Sequence, residues 1–206
     1  MRVPTYALLT AATLLCVSVA DAAIMQFKFS GEITFVGDYS HDISDKIAVD
    51  DRYAAAFSFD SSATDQLPLD TNRGSYAATS PGMRFSVGDW VIEATEGENG
   101  IGIDNWEDYD SMRLISSGIP LPGLGLITIQ ANFIDHTGTV FSGDALPVSA
   151  PELASFQEVY LQAVCSTADH HYKFFGTIDS LELVPEPNTL LLVLLGFAIT
   201  HRRSSH

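Results

Sequence analysis

Apolar and polar residues alternate along much of this chain. The first clear run has apolar side chains at odd positions: Phe27, Phe29, Ile33 and Phe35. A second run repeats the pattern: Tyr53, Ala55, Phe57 and Phe59. Because successive side chains of a strand point to opposite faces, each run predicts a strand with one face in a core and the other in solvent.

The rest of the chain continues in short apolar segments. Phe85–Val87 and Trp90–Ala94 flank Gly88-Asp89, which predicts a hairpin. Further strands are expected at Ile101–Ile103, Met112–Leu114, Leu124–Phe133, Tyr160–Ser166 and Phe174–Val184. The one helical signal is a short turn at Pro151–Phe156. Many short strands without alternating helices predict an all-β domain, an antiparallel β-sandwich of the jelly-roll type.

The two ends of the chain differ from this pattern. Residues 1–22 are typical of a secretory signal peptide, with Arg2 at the start and an apolar stretch after it. Ala20 and Ala22 are the small residues expected before a cleavage site. We therefore expect export across the inner membrane, with cleavage after Ala22 or Ala23.

The C-terminal end, residues 185–206, begins Pro185-Glu186-Pro187 and continues as an apolar run closed by Arg202 and Arg203. The uncharged stretch of 12 residues from Thr189 to Thr200 would span roughly 18 Å as a helix. A comfortable span needs about 20 residues, so we predict a short transmembrane helix with a cytoplasmic end. An ordinary tail anchor, or an apolar end that packs on the domain, remains an alternative.

This order of Pro-Glu-Pro, apolar run and basic end resembles the PEP-CTERM sorting signal. The domain between residues 23 and 184 is also similar to PEP-CTERM proteins of unassigned activity, through Phe57-Ser58-Phe59-Asp60, Arg73-Gly74-Ser75-Tyr76 and Asp144-Ala145-Leu146-Pro147. The resemblance implies that an exosortase-type membrane protease recognises Pro185, Glu186 and Pro187. It also implies a non-enzymatic protein at the cell surface or in the extracellular matrix, associated with exopolysaccharide and biofilm.

Composition narrows the partners of this domain. The full chain carries 10 Lys and Arg against 26 Asp and Glu, a net charge of −16. Such a charge excludes non-specific binding to nucleic acid. The acidic residues would instead bind Ca²⁺ or simply keep the domain soluble. Once the signal peptide is removed, Cys165 is the sole cysteine. It cannot form an internal disulfide, and we expect it to be a small buried side chain.

The densest acidic cluster offers a weak Ca²⁺ site. Its oxygen ligands would be Asp104, Asn105, Glu107, Asp108 and Asp110. Tyr109 occupies the position that an EF-hand reserves for glycine, so the alternative is a solvated loop between two strands. Trp106 and Tyr109 would then form an aromatic surface for a sugar ring, or pack at the edge of the core. A Ca²⁺-assisted carbohydrate-binding module is thus the second functional hypothesis.

Other chemistry has little support in the sequence. His170 and His171 are adjacent, so in a strand they would point to opposite faces and make poor zinc co-ligands. The chain has no G-x-S-x-G, H-E-x-x-H or G-x-x-x-x-G-K motif. A glycan-active hydrolase with two converging carboxylates is the third hypothesis. We expect no catalytic residues and no cofactor.

Overall fold

The computed structural model describes residues 24–78, 82–95 and 98–185. These residues form eleven strands and one short 3-10 helix, Leu153–Ser155. The strands are β1 Ile24–Asp38, β2 Arg52–Asp60, β3 Arg73–Ala77, β4 Met83–Val87, β5 Trp90–Glu93, β6 Glu98–Trp106, β7 Tyr109–Leu121, β8 Gly125–Asp135, β9 Glu158–Ser166, β10 His171–Thr177 and β11 Ser180–Pro185. The predicted all-β class is confirmed.

All strand pairs within the described ranges are antiparallel and belong to one curled sheet, a half-barrel. Its order is β3-β6-β7-β8-β9-β10-β1-β2-β4-β5, with β11 paired to β1. The predicted antiparallel arrangement is therefore confirmed. The finer expectation of a jelly-roll sandwich stays a prediction, because the hydrogen-bonded strands are continuous through β1.

Strand β1 joins the two halves of the sheet. Its first part pairs with β2 and β11, and its last part, from Ile33 to Asp38, pairs with β10. The neighbouring chain changes direction between β10 and β11, at Ile178 and Asp179. The segment Phe174–Val184, predicted as one strand, is thus two strands that follow the bend of β1.

A β-bulge interrupts the alternation of β1. The register shifts between Ile33 and Phe35, so that Ile33 is fully buried whereas Phe35 is 42% exposed. The prediction that Phe35 shares the core face of Phe27 and Phe29 is therefore wrong. The extra residue of a bulge turns every later side chain of the strand to the opposite face.

The inner faces of both halves enclose one apolar core. Phe85 of β4 lies near its centre, with ring centroids 5.5 Å from Tyr53, 5.4 Å from Phe174 and 6.5 Å from Trp90. The β4–β5 hairpin predicted at Gly88-Asp89 is confirmed, since Val87 pairs with Trp90. Gly88 takes a φ of 53° there, a conformation that favours glycine.

A polar contact also links the two halves across the core. Met83 N–H of β4 donates a 3.0 Å hydrogen bond to Ser116 Oγ of β7, and this hydroxyl in turn donates to Asn99 Oδ1. Ser116 is fully buried. The contact satisfies a backbone donor that would otherwise be buried without a partner.

Replacing Phe85 by alanine tests this description of the core. Since the ring is fully buried among three aromatic side chains, we expect Phe85→Ala to lower the free energy of unfolding by about 3–5 kcal/mol in urea denaturation. Val91→Ala is the control, because Val91 on β5 is 44% exposed and should cost less than about 0.5 kcal/mol. Equal losses in both variants would contradict the described core.

Candidate functional site

The predicted processing motif begins where the sheet ends. Strand β11 terminates at Pro185, which pairs with Met25 near the start of β1. The chain therefore enters and leaves the domain on adjacent strands, and no spacer separates β11 from Pro185. Glu186, Pro187, Arg202, Arg203, Ala20 and Ala22 lie outside the described residues, as does the predicted membrane helix. Within the described ranges, no helix is long and apolar enough to cross a bilayer.

The predicted acidic loop is a tight hairpin between β6 and β7. Trp106 pairs with Tyr109, so only Glu107 and Asp108 form the turn. Both of these carboxylates are exposed. The cluster is therefore spread along two paired strands, and the alternation of those strands sends its members to different faces.

Asp104 faces the outer surface of the sheet, where cations already surround it. Its carboxylate lies 3.4 Å from Arg73 and 3.4 Å from Arg113, and it accepts a 2.7 Å hydrogen bond from Ser111 Oγ. Arg73 and Arg113 therefore offset the negative charge of Asp104 that would attract a Ca²⁺ ion.

Asp110 points to the other face and is fully buried. Its Oδ2 accepts hydrogen bonds of 2.8 Å from the backbone N–H groups of Val140 and Phe141. In the amide orientation that pairs both its nitrogen and its oxygen, Asn105 Nδ2 donates to Asp110 Oδ1 at 3.0 Å and Asn105 Oδ1 accepts from Gly143 N–H at 3.1 Å. Asp110 and Asn105 therefore hold the 140–143 segment against the sheet.

A second buried carboxylate, Asp135, lies opposite Asp110 on β8. It accepts 2.8 Å hydrogen bonds from the backbone N–H groups of Thr137 and Thr139. The hydroxyl of Thr137, and then the N–H of Thr139, hold the pKa of Asp135 well below its usual range. Sequence reasoning did not single out Asp135, because nothing in a run of scattered acids distinguishes a buried one.

A third carboxylate organises the loop after β1. Asp38 accepts 2.9 Å hydrogen bonds from the N–H groups of Asp42, Ile43 and Ser44. Burial raises the pKa of Asp38, but these donors outweigh it and bring the pKa below its ordinary value. Asp42 in turn lies 2.9 Å from His170 Nδ1, which attaches this loop to the β9–β10 turn.

The two adjacent histidines have different partners in the structure. Among the described residues, no three His, Cys, Asp or Glu side chains are arranged to hold an ion. His170 is committed to Asp42, whereas His171 is exposed and packs on Tyr39. Cys165 is fully buried, as predicted, and burial raises the pKa of its thiol.

The predicted aromatic surface at the hairpin is only half present. Trp106 is 43% exposed, but the Tyr109 ring packs on His136 with centroids 6.0 Å apart. His136 Nε2 lies 2.9 Å from Glu158 Oε1, which fixes that stack. A different set of rings is exposed around the end of β1 and on β10: Phe35 contacts the half-buried Phe175, and Tyr39, directly after β1, contacts the exposed His171.

Comparison of the chain with models of known protein families, with curated proteins and with solved structures found no match.

The lowered pKa values of Asp38 and Asp135 predict sensitivity to acid. A carboxylate whose pKa is lower in the folded state contributes stability in full above its unfolded pKa of about 4, and loses that contribution as the pH falls through the folded value. We expect the urea concentration at the unfolding midpoint to decrease once the pH is lowered below about 4. In Asp135→Asn the midpoint should be lower at pH 7 and change less on acidification.

Asp169→Asn is the control for this measurement, since Asp169 is exposed on the β9–β10 turn. It should keep both the midpoint at pH 7 and the acid response of the unchanged protein. An Asp135→Asn variant with an unchanged acid response would contradict the role given to the buried carboxylate.

Calcium addition tests the weak Ca²⁺ hypothesis directly. Since Asp104 and Asp110 already have protein partners, we expect millimolar CaCl₂ to leave the Tm of the full chain unchanged. A rise in Tm that disappears in Asp108→Ala would instead show that the hairpin binds the ion.

Proposed function

We propose that the chain is an exported surface or extracellular-matrix protein, sorted by an exosortase-type membrane protease. The observation that carries this proposal is the order of Pro185-Glu186-Pro187, the apolar run and the pair Arg202-Arg203. The membrane holds the precursor through its C-terminal helix, and the protease recognises the Pro-Glu-Pro tripeptide. The proteolysis belongs to that partner, and the chain itself has a non-enzymatic role.

The position of the motif relative to the domain supports this sequence of events. Because β11 ends at Pro185 and pairs with β1, the recognised tripeptide begins directly at the sheet. The domain then sits close to the membrane before cleavage and leaves as a folded unit after it. We also propose that the curled sheet is a jelly-roll sandwich, a closure supported by the shared core and by the Met83–Ser116 contact.

The second candidate function is carbohydrate binding, and the exposed rings of Phe35, Tyr39 and His171 favour it. It is compatible with the first, since a protein retained in an exopolysaccharide matrix needs a contact with that matrix. The Ca²⁺ assistance in the original hypothesis has less support, because Asp104 and Asp110 have other partners.

Intact mass spectrometry of the protein from cells and medium of its native host tests the sorting. We expect a membrane-bound form that keeps the tail and a released form that ends near Pro185. Glu186→Gln should leave the full tail in place and reduce the released form. The matched control is Glu182→Gln, which changes an exposed glutamate of β11 four residues before Glu186 and should be released normally.

A protein that keeps Arg202 and Arg203 in every fraction would contradict the proposal and identify the tail as a plain membrane anchor. Equal release of both glutamate variants would show that cleavage does not depend on the Pro-Glu-Pro tripeptide.

A further inference from the structure

An aromatic surface lies on the outer face of β1 and β10, where the sequence pattern predicts none. We call it the outer strip, and it consists of Phe35, Gly37, Tyr39, His171, Lys173 and Phe175. Phe35 is 42% exposed and Tyr39 is 64% exposed. The bulge after Ile33 creates this surface, because it turns Phe35, and with it Gly37 and Tyr39, away from the core.

The rings of the outer strip form two stations. Phe35 is paired in register with Phe175, and their ring centroids lie 5.9 Å apart. Tyr39 and His171 form the second station at 5.2 Å, where Tyr39 N–H donates a 3.1 Å hydrogen bond to the His171 carbonyl. Phe35 and Tyr39 are four residues apart along the chain, so their backbones are separated by roughly 13 Å at about 3.3 Å per residue, while their rings approach each other over Gly37.

Gly37 makes the two stations continuous. A Cβ placed there would lie 2.9 Å from a ring carbon of Phe35 and 3.4 Å from one of Tyr39. The rings of Phe35 and Tyr39 therefore lie over the glycine and cover it. A side chain at this position would push them apart.

Polar groups accompany this flat apolar surface. Lys173 is the register partner of Gly37, and its ammonium lies 5.6 Å above the Phe35 ring centroid. Within the described ranges Lys173 forms no ion pair, so its donors remain available. The exposed ring of Tyr39 carries a phenolic hydroxyl, which can donate and accept hydrogen bonds.

We propose that the outer strip binds a neutral polysaccharide chain, an inference that rests on the matrix role proposed above. A sugar ring has an apolar C–H face and a polar edge of hydroxyl groups. The apolar face would stack on the rings of Phe35 and Tyr39, while the hydroxyls would bond to Lys173 and to the phenolic group. An elongated polymer would lie along the strip and contact both pairs of rings.

Charge and size argue against other occupants of the outer strip. An acidic polymer would approach a chain of net charge −16, which repels it. A stable protein interface buries about 800 Å² on each partner and involves roughly 20–30 residues, far more than the few side chains of the strip. Trp106 is as exposed as Phe35, but its neighbour Tyr109 is packed on His136 and does not extend the surface.

Affinity electrophoresis of the full chain, purified from its host in mild detergent, tests this proposal. The gels would contain the host exopolysaccharide, separated into neutral and acidic fractions by anion exchange, or defined neutral polymers (dextran, galactomannan and xyloglucan). We expect the neutral host fraction to retard the protein. Phe35→Ala and Tyr39→Ala should each weaken the binding about tenfold, the typical scale of a lost aromatic contact.

Two further variants sharpen the test. Gly37→Val keeps every aromatic ring but separates the stations, so it should also weaken binding. Trp106→Ala is the matched control, since Trp106 is 43% exposed against 42% for Phe35, and it should bind as the unchanged protein does. A thermal melt of each variant shows that it remains folded.

The proposal is overturned if no neutral polymer retards the protein, if the acidic fraction is the one that does, or if Trp106→Ala is the variant that loses binding. Intact mass of the matrix-bound protein separates this outcome from a failure of the sorting proposal. If the released form ends near Pro185 but does not bind neutral polysaccharide, only the binding proposal for the outer strip is wrong. If the protein binds neutral polysaccharide but is never released, only the sorting proposal is wrong.

Discussion

The close backbone contact between β1 and the end of β10 is the constraint on which the rest of the structure depends. A Cβ at Gly31 would lie 1.8 Å from the Thr177 carbonyl oxygen, and one at Gly176 would lie 2.8 Å from the Glu32 carbonyl oxygen. Only glycine permits such an approach. Tyr53 Oη donates a 2.6 Å hydrogen bond to the same Thr177 carbonyl. The bend at this point allows one strand to serve both halves of the curled sheet.

The bulge next to this contact links the fold to the proposed binding surface. The partner of β1 changes from β11 to β10 after Ser30, and the bulge between Ile33 and Phe35 lies just beyond this change. Before the bulge, Phe27, Phe29 and Ile33 face the core; after it, Val36 packs against the core and Phe35 belongs to the outer strip. The same local irregularity therefore explains both the curled sheet and the exposure of Phe35.

The acidic composition has a partly structural origin. Asp38, Asp110 and Asp135 each accept hydrogen bonds from backbone N–H groups of a neighbouring loop. A carboxylate is a strong acceptor for such donors. These residues therefore replace the strand pairing that the loops lack.

The two proposed activities lie at opposite ends of β1. The tail leaves next to Met25, whereas the outer strip begins at Phe35, ten residues later, or roughly 30 Å of strand at about 3.3 Å per residue. A domain held at the membrane by its tail would thus present the outer strip away from the point of attachment. Sorting and matrix binding can occur on one domain without competing for the same surface.

Much of the strand content was predictable from the sequence alone. Alternation located β1, β2 and the β4–β5 hairpin, and apolar context predicted the burial of Cys165. These features depend on neighbouring residues, whose side chains alternate by covalent geometry. The bulge, the division between β10 and β11 and the buried Asp135 were not predictable. Each depends on a partner brought in by the fold, such as Gly176 beside Ile33 or the loop donors beside Asp135, and alternation along one strand carries no information about such partners.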